Sequence, residues 1–138
     1  MLELKRISRD YDTTIIGISS FNRANYTAPV NMASFKESGA IEFSADVLIG
    51  LQYEGMDYND GENEKQRNRR IKNLLDEQIL LGRHGKAQSI QVKILKNRNG
   101  SKGDAVMEFY PMFNYFADKK RNSSTVANME SNWIPVEV

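Results

Sequence analysis

Two short, uninterrupted runs of apolar residues limit most strongly what this chain can fold into. Thr13 to Ile18 and Val47 to Leu51 have the length of strands and contain several β-branched residues, and neither run alternates with polar residues. Such runs are typical of strands that are covered on both faces, as in the parallel sheet of an α/β protein. They predict an α/β domain with a mainly parallel sheet.

Amphipathic helices are expected beside these strands. Leu4, Ile7 and Tyr11 recur at helical spacing, which predicts a helix with one buried stripe that ends at Asp12. A second, long helix is predicted over residues 62–82, with Gly82 as its C-cap. The apolar face of that second helix consists of Ile71, Leu74, Leu75 and Ile79.

The third feature is a C-terminal antiparallel hairpin. Residues 89–94 and 105–110 alternate between apolar and polar side chains, as strands with one covered face do. The connection between them, 96–104, contains the turn-forming pair Asn99-Gly100 and several positive charges. The pattern predicts a hairpin with a basic tip, followed by a short edge strand over 113–116.

Composition restricts the possible functions more than it identifies one. The 138 residues fit a single domain. The absence of cysteine excludes disulfides, thiolate nucleophiles and cysteine-based zinc sites. With 19 basic and 18 acidic residues, net charge does not indicate a nucleic-acid partner, so such a partner must be inferred from local segments. Since neither a membrane span nor a secretory signal is evident, a cytoplasmic location without membrane contact is expected.

Three segments, taken together, resemble the C-terminal ATPase domain of DnaB-type replicative DNA helicases, which have the RecA-like P-loop fold. The first segment is Ile18-Ser19-Ser20-Phe21-Asn22-Arg23, which is similar to the Ser-Gln-Leu-Asn-Arg segment of that family. The resemblance implies that the polar residue at this strand end senses the terminal phosphate of ATP. Ser20 stands at the position of the family's glutamine, and Asn22 is a possible substitute for it.

The second segment, residues 29–46, is the most specific. It contains Lys36-Glu37-Ser38-Gly39-Ala40-Ile41-Glu42 and then Ala45-Asp46, and it closely follows the helicase pattern. The resemblance implies a loop that lines a central channel and holds single-stranded DNA. Lys36 offers an ammonium group to a phosphate, Gly39 permits close approach of the backbone, and Glu37 would orient these donors.

The third segment, Val92 to Gly100, resembles the Lys-Gln-Arg-Asn-Gly hairpin of the family. The resemblance implies that Arg98 is an arginine finger and Lys96 its companion, and that both reach the phosphates of ATP bound by the adjacent subunit. It further implies a homo-oligomeric ring, a hexamer, with ATP and Mg²⁺ bound in the complete parent protein. Single-stranded DNA is the other partner it implies.

The resemblance covers residues 1–116 and identifies this segment as the C-terminal half of a RecA-like core. Residues 62–82 are interpreted as an inserted helix, and residues 117–138 as a polar tail in which Trp133 docks onto the body. No G-x-x-x-x-G-K-[ST] sequence is present, and in the family this loop lies upstream. We therefore expect a truncated fragment of an ATP-dependent DNA helicase that does not hydrolyse ATP alone.

Two alternative functions, and the role of one basic cluster, stay open at this point. The chain can instead be a non-catalytic, helicase-like binding module that associates with helicase rings. A recombinase-like RecA relative is a further alternative, although the Glu-Ser-Gly-Ala-Ile-Glu sequence at 37–42 fits it less well. For the basic cluster of the long helix, a solvated face and a DNA contact are both possible. This cluster consists of Arg67, Arg69, Arg70 and Lys72.

Overall fold

The computed structural model describes residues 2–21, 26–38 and 41–119. The α-helices of this part of the chain are α1 (Leu2–Asp10), α2 (Ile41–Ser44) and α3 (Glu64–Arg83). The strands are β1 (Val47–Tyr53), β2 (Gln88–Asn97), β3 (Gly103–Tyr110) and β4 (Tyr115–Asp118). Met32–Ser38 and Pro111–Phe113 are 3-10 helices. The α/β class predicted from the sequence is confirmed.

The four strands form one antiparallel sheet in the order β1-β2-β3-β4. β2 and β3 make the predicted hairpin, paired from Gln88 opposite Phe109 to Ile94 opposite Gly103. β4 is the edge strand expected near 113–116, although it begins at Tyr115. The prediction of a mainly parallel sheet is wrong for the described residues, because each of the three strand pairs is antiparallel.

The first apolar run does not form a strand. Residues 13–18 have no regular structure, and Ile16 and Ile18 are 86% and 98% exposed. A strand is stable only when a neighbouring strand satisfies its backbone groups, and parallel pairing requires a distant segment as neighbour. None of the described residues supplies that neighbour, so the prediction of a buried strand at Thr13–Ile18 is wrong here.

The apolar stripe of helix α1 is not buried, although the sequence predicts that it is. The helix ends at Asp10, and Asp12 follows in a left-handed conformation with φ 47°. The apolar stripe of Leu4, Ile7 and Tyr11 is exposed, and α1 contains no buried residue. The spacing correctly indicated an amphipathic helix, but the described part of the chain holds no surface that buries its stripe.

Strand β1 is covered on one face instead of two. Leu48, Gly50 and Gln52 are buried, whereas the intervening Val47, Ile49 and Leu51 are exposed. This alternation is what one face of an antiparallel sheet requires. The prediction of a strand at this position is confirmed, and the prediction that both of its faces are buried is wrong for the described residues.

The helix predicted over 62–82 is present as α3, Glu64–Arg83. Asn63 and Gln66 form a reciprocal cap at its start, in which each side-chain oxygen accepts a hydrogen bond from the other residue's backbone N–H, at 2.9 and 3.1 Å. At its end, Gly85 adopts φ 67° and Lys86 N donates to Leu81 O at 2.9 Å. The left-handed glycine is therefore Gly85, and the prediction of Gly82 as C-cap is wrong. That α3 is an insertion stays a prediction.

Two arginines and one isoleucine attach α3 to the body. Ile71 is 2% exposed. Arg70 makes a two-point ion pair with Glu62, at 2.7 and 2.8 Å, and also donates to the backbone oxygens of Gly55 and Asp57. Arg70 therefore holds the 55–62 loop against the helix.

Arg67 is buried, which is unusual for an arginine. Its Nη2 donates to Met56 O at 3.0 Å and Thr27 O at 3.2 Å, and its guanidinium lies 4.4 Å from the ring centre of Tyr58. Half of the basic cluster thus has a structural role. Arg69 and Lys72, the other two members, are exposed.

Candidate functional site

The hairpin tip is built around a tight turn after β2. Asn97 Nδ2 donates to Ser101 O at 3.1 Å, and a Cβ atom on Gly100 would lie 2.6 Å from the same nitrogen. A side chain at Gly100 would therefore displace the Asn97 side chain from its place in this turn. This geometry places Arg98 directly after the last residue of β2, at the start of the turn.

Arg98 is held beside the start of β1. Its backbone N donates to Asp46 O at 2.9 Å, and its Nη1 lies 2.8 Å from Asp46 Oδ1. Lys5 Nζ reaches the same carboxylate oxygen at 3.3 Å. The Arg98 side chain stays 47% exposed, so its guanidinium is oriented without being removed from solvent.

A cleft of about 590 Å³ opens between this ion pair and the N-terminal region. The positive charges in its lining come from four residues: Lys5, Arg6, Arg9 and Arg98. Arg6 and Arg9 are paired with the neighbouring Glu3 and Asp10 of α1. These pairs are exposed and contribute little to stability, so an anion that enters the cleft can compete for the cations.

Lys96 lies near the end of β2, opposite Leu48 of β1. A β-bulge interrupts the pairing between Leu48 and Ile49, since Ile49 lies opposite Ile94 and Leu95 is the additional residue. Bulges change the direction of the side chains that follow them. Lys96 and Arg98, the two predicted hairpin cations, therefore both follow the bulge and lie two positions apart.

The predicted phosphate sensor falls partly within the described residues. Ser20 is exposed in a segment without regular structure, and Asn22 lies outside the described residues. The strand end at which Ser20 was expected is absent from the described part. The sensor role of both residues stays a prediction.

The predicted DNA-contacting residues are described only in part. The backbone of Lys36 and Glu37 belongs to the 3-10 helix Met32–Ser38. Gly39 lies outside the described residues, as does the tail with Trp133. The DNA-binding roles of Lys36, Glu37 and Gly39 stay predictions.

One contact links the neighbourhoods of the sensor and the DNA segment. Phe21, next to Ser20, meets Phe35, next to Lys36, in an edge-to-face arrangement with ring centres 6.2 Å apart. The structure thus brings these two predicted segments together through adjacent aromatic residues. It places the Arg98 pair separately, beside Asp46.

A polar cluster on the sheet was not predicted from the sequence. Gln52, which is 7% exposed, donates from Nε2 to Asp57 Oδ1 at 3.0 Å and to Gln91 Oε1 at 2.7 Å. Lys93 Nζ donates to Asp57 Oδ1 at 2.8 Å. The available signal was Gln52 itself, a polar residue at a buried position of an otherwise apolar strand. We call Gln52, Asp57, Gln91 and Lys93 the Gln52 cluster.

Asp57 remains ionised within this cluster at neutral pH. Partial burial acts to raise the pKa of its carboxyl group. Hydrogen bonds from Lys93, Gln52 and Gln91, together with the charge of Lys93, outweigh burial and hold the pKa below its ordinary value. The Asp57 carboxylate and the Lys93 ammonium group therefore compensate each other's charge.

Across residues 2–21, 26–38 and 41–119, no three His, Cys, Asp or Glu side chains are grouped so that they could hold a metal ion. None of the helices in the same ranges has the length and apolar character needed to cross a membrane.

Comparison with known proteins identifies the family. The family model described as DnaB-like helicase C terminal domain matches residues 2–118. The chain is also 24% identical over 148 residues to the replicative DNA helicase DnaB of Helicobacter pylori (strain J99), with 95% of this chain aligned. It spans 30% of the length of that relative. Since the family match extends over most of its length, the chain belongs to the family of DnaB-like helicase C terminal domains.

Proposed function

We propose that this chain supplies a single-stranded-DNA contact and a trans-acting arginine to an ATP-dependent replicative DNA helicase, and that it does not hydrolyse ATP alone. The observation that carries the proposal is the position of Arg98. It stands half exposed at the tip of a hairpin and is oriented by an exposed ion pair. An arginine that serves a neighbouring subunit needs this combination of orientation and access.

The energetic comparison favours release of Arg98 to a phosphate. An exposed ion pair such as Arg98–Asp46 contributes about 0–1 kcal/mol. An arginine finger accelerates phosphoryl transfer about 10³- to 10⁵-fold, which corresponds to about 4–7 kcal/mol of transition-state stabilisation. Asp46 therefore does not prevent Arg98 from acting on a neighbour. Lys5 would continue to compensate the Asp46 charge after Arg98 had left.

In the complete protein, bound ATP with Mg²⁺ supplies the phosphoryl group. Arg98 and Lys96 are the residues of this chain that would face its phosphates, because Arg98 presents exposed guanidinium donors and Lys96 lies two residues before it. No metal ligands are assigned to this chain. Ser20 and Asn22 would respond to the terminal phosphate in the subunit that binds it.

For the DNA contact, Lys36 would offer its ammonium group to a phosphate and Gly39 would permit close approach of the backbone. Glu37 would orient these donors. The Phe21–Phe35 contact supports a mechanical connection between the sensor segment and this loop. Parent proteins with such loops would form a ring, a hexamer in this family, around the strand.

The DNA contact is tested by fluorescence anisotropy with the full chain and a labelled single-stranded oligonucleotide. We expect binding that weakens with salt and is reduced by Lys36→Glu. Lys65→Glu, on the exposed side of α3, is the matched control because it makes the same change in charge. An equal loss of affinity in both variants would refute a specific role of Lys36.

The catalytic part of the proposal is tested in two steps. The purified chain should show no ATP turnover, and turnover that survives controls for contamination would contradict this. In a protein that contains the complete domain, Arg98→Ala should lower kcat about 10³-fold or more. Arg69→Ala is the control for loss of one exposed arginine.

One observation favours a second candidate function. The apolar stripe of α1 and one face of β1 are exposed in the described part of the chain. Such surfaces also suit a non-catalytic module that associates with helicase rings. Binding to an intact helicase, without any affinity for single-stranded DNA, would support this alternative over the first.

A further inference from the structure

We propose that the Gln52 cluster is a joint that positions the candidate DNA-contacting segment relative to the hairpin that carries Arg98. The inference rests on the proposed function for the roles of Lys36 and Arg98. The joint itself is argued from described contacts, and its members are positioning residues without direct contact to DNA or nucleotide.

The side chain of Gln52 is held in one orientation. Its Oε1 accepts a hydrogen bond from Val30 N at 2.8 Å, and a backbone N–H can only donate, which fixes the direction of the amide. Both Nε2 hydrogens are then used by Asp57 and Gln91. A buried amide with all of these partners cannot turn without leaving polar groups unpaired.

On one side, the joint reaches the DNA-contacting segment. Val30 is buried over Gly50, so the chain lies directly on β1 at this point. The next residue, Asn31, caps the 3-10 helix: Ser34 N donates to Asn31 Oδ1 at 3.2 Å, and Asn31 N donates to Ser34 Oγ at 3.1 Å. The anchored valine is thus followed immediately by the helix that contains Lys36.

On the other side, the joint reaches the hairpin. Lys93 is held through Asp57, and Gln91 Nε2 also donates to Asp104 Oδ2 on β3 at 3.0 Å. Lys93 lies three residues before Lys96 on the same strand. Hydrogen bonds of the cluster connect β1, β2 and β3. The start of the DNA segment and the base of the hairpin are therefore held in a fixed position relative to each other. Movement of either end must break hydrogen bonds within the cluster.

Hydrogen–deuterium exchange of the full chain tests the joint directly. Gln52→Leu removes the acceptor for Val30 N and should increase exchange over residues 26–38 about tenfold or more. Gln88→Leu is the matched control. Gln88 is also 7% exposed on the sheet and donates to Gln78 O, at a distance from the DNA segment along the chain. The control should leave exchange over 26–38 unchanged.

A second variant distinguishes a joint from a local packing effect. Lys93→Met removes one of the two β2 residues that donate to Asp57, the other being Gln91, without altering any residue of 26–38. We expect faster exchange over 26–38 in this variant also, transmitted through Asp57 and Gln52. An effect confined to β2 and β3 would refute the connection to the hairpin. Lys93 is partly exposed, so this variant tests the proposal even where Gln52→Leu does not fold.

DNA binding then tests whether the joint serves the proposed function. Gln52→Leu should weaken single-strand binding in the unaltered chain, and should have no further effect in a Lys36→Gln background, because both changes remove one contact. Additive losses would overturn a positioning role. If the unaltered chain binds no DNA, the proposed function fails, whereas the exchange measurements still decide whether the joint exists.

Discussion

Replacing Gly50 by alanine should destabilise the protein, although alanine is normally the better residue in a strand. A Cβ atom at this position would lie 2.5 Å from Val30 Cγ2, 2.9 Å from Val30 Cγ1 and 3.2 Å from Leu95 Cδ1. Carbon atoms pack best at separations of about 3.5–4.0 Å, so the methyl group and Val30 overlap. Val30 is β-branched and buried, and it cannot rotate away easily.

The size of the effect follows from two opposing contributions. Overpacking a core position costs about 1–3 kcal/mol. Replacing glycine by alanine within a strand stabilises by about 0.5–1 kcal/mol. From the middle of each range, we therefore expect the free energy of unfolding to fall by about 1 kcal/mol. The displaced valine should also weaken the hydrogen bond from Val30 N to Gln52.

Urea denaturation measures this loss, and a double-mutant cycle with Val30→Ala tests its cause. Removing the two γ-methyl groups of Val30 opens the space that the new Cβ needs. The two changes together should therefore cost less than the sum of the single changes. Gly17→Ala is the control, since no atom lies within 4 Å of a Cβ at that position. If Gly50→Ala is as stable as the parent and the cycle is additive within about 0.5 kcal/mol, the steric argument is wrong.

Three further predictions concern α3 and the Gln52 cluster. Ile71→Ala should lower the free energy of unfolding by about 2–5 kcal/mol. Ile79→Ala, at a position that is 47% exposed, should lower it much less. Equal losses in denaturant titrations would contradict the assignment of Ile71 to the core. Arg70→Lys should lower the thermal midpoint more than Arg69→Lys, because lysine cannot replace a two-point ion pair, and calorimetry that ranks them oppositely would refute this role. Because the folded-state pKa of Asp57 is lowered, its contribution to stability is present above its ordinary value of 3.8 and is lost as pH falls through the lowered value. Asp57→Asn should therefore flatten the decline of the urea midpoint below about pH 5, and an unchanged slope would show that another group is responsible.

Local patterns predicted the parts of the fold that depend on neighbouring residues. The hairpin was evident from the alternation along β2 and β3 and from Asn99-Gly100, and its strands pair as expected. The amphipathic pattern of α3 placed the helix to within two residues at its start and one at its end. Both elements form from contacts that are close in sequence.

The predictions that failed depend on distant segments. The run at 13–18 has the composition of a buried strand, but composition does not supply the strand beside it. The composition of β1 likewise does not show which distant segments lie against it, so the sequence predicted two covered faces where the structure has one. Helix periodicity likewise does not show whether an arginine on the polar face of a helix will find backbone acceptors, so it did not predict the structural roles of Arg67 and Arg70.

The candidate site was predicted unevenly for a related reason. The motif shows that an arginine, Arg98, stands at a turn. It does not show the partner that orients this arginine, because Asp46 lies 52 positions earlier in the sequence. The Gln52 cluster likewise combines residues from two strands and a loop, and no local spacing indicates that they meet. The roles of Lys36, Glu37, Gly39, Ser20 and Asn22 stay predictions, as does the domain boundary at residue 116.

Strand β1 has a consequence for the chain in concentrated solution. It is paired with β2 along one edge, and within the described residues no strand occupies its other edge. Its sequence, Val-Leu-Ile-Gly-Leu-Gln-Tyr, contains neither charge nor proline, the features with which proteins usually keep a sheet margin from recruiting further strands. We therefore expect purified material to self-associate through this margin as its concentration rises, and to become more soluble when lysine replaces Ile49.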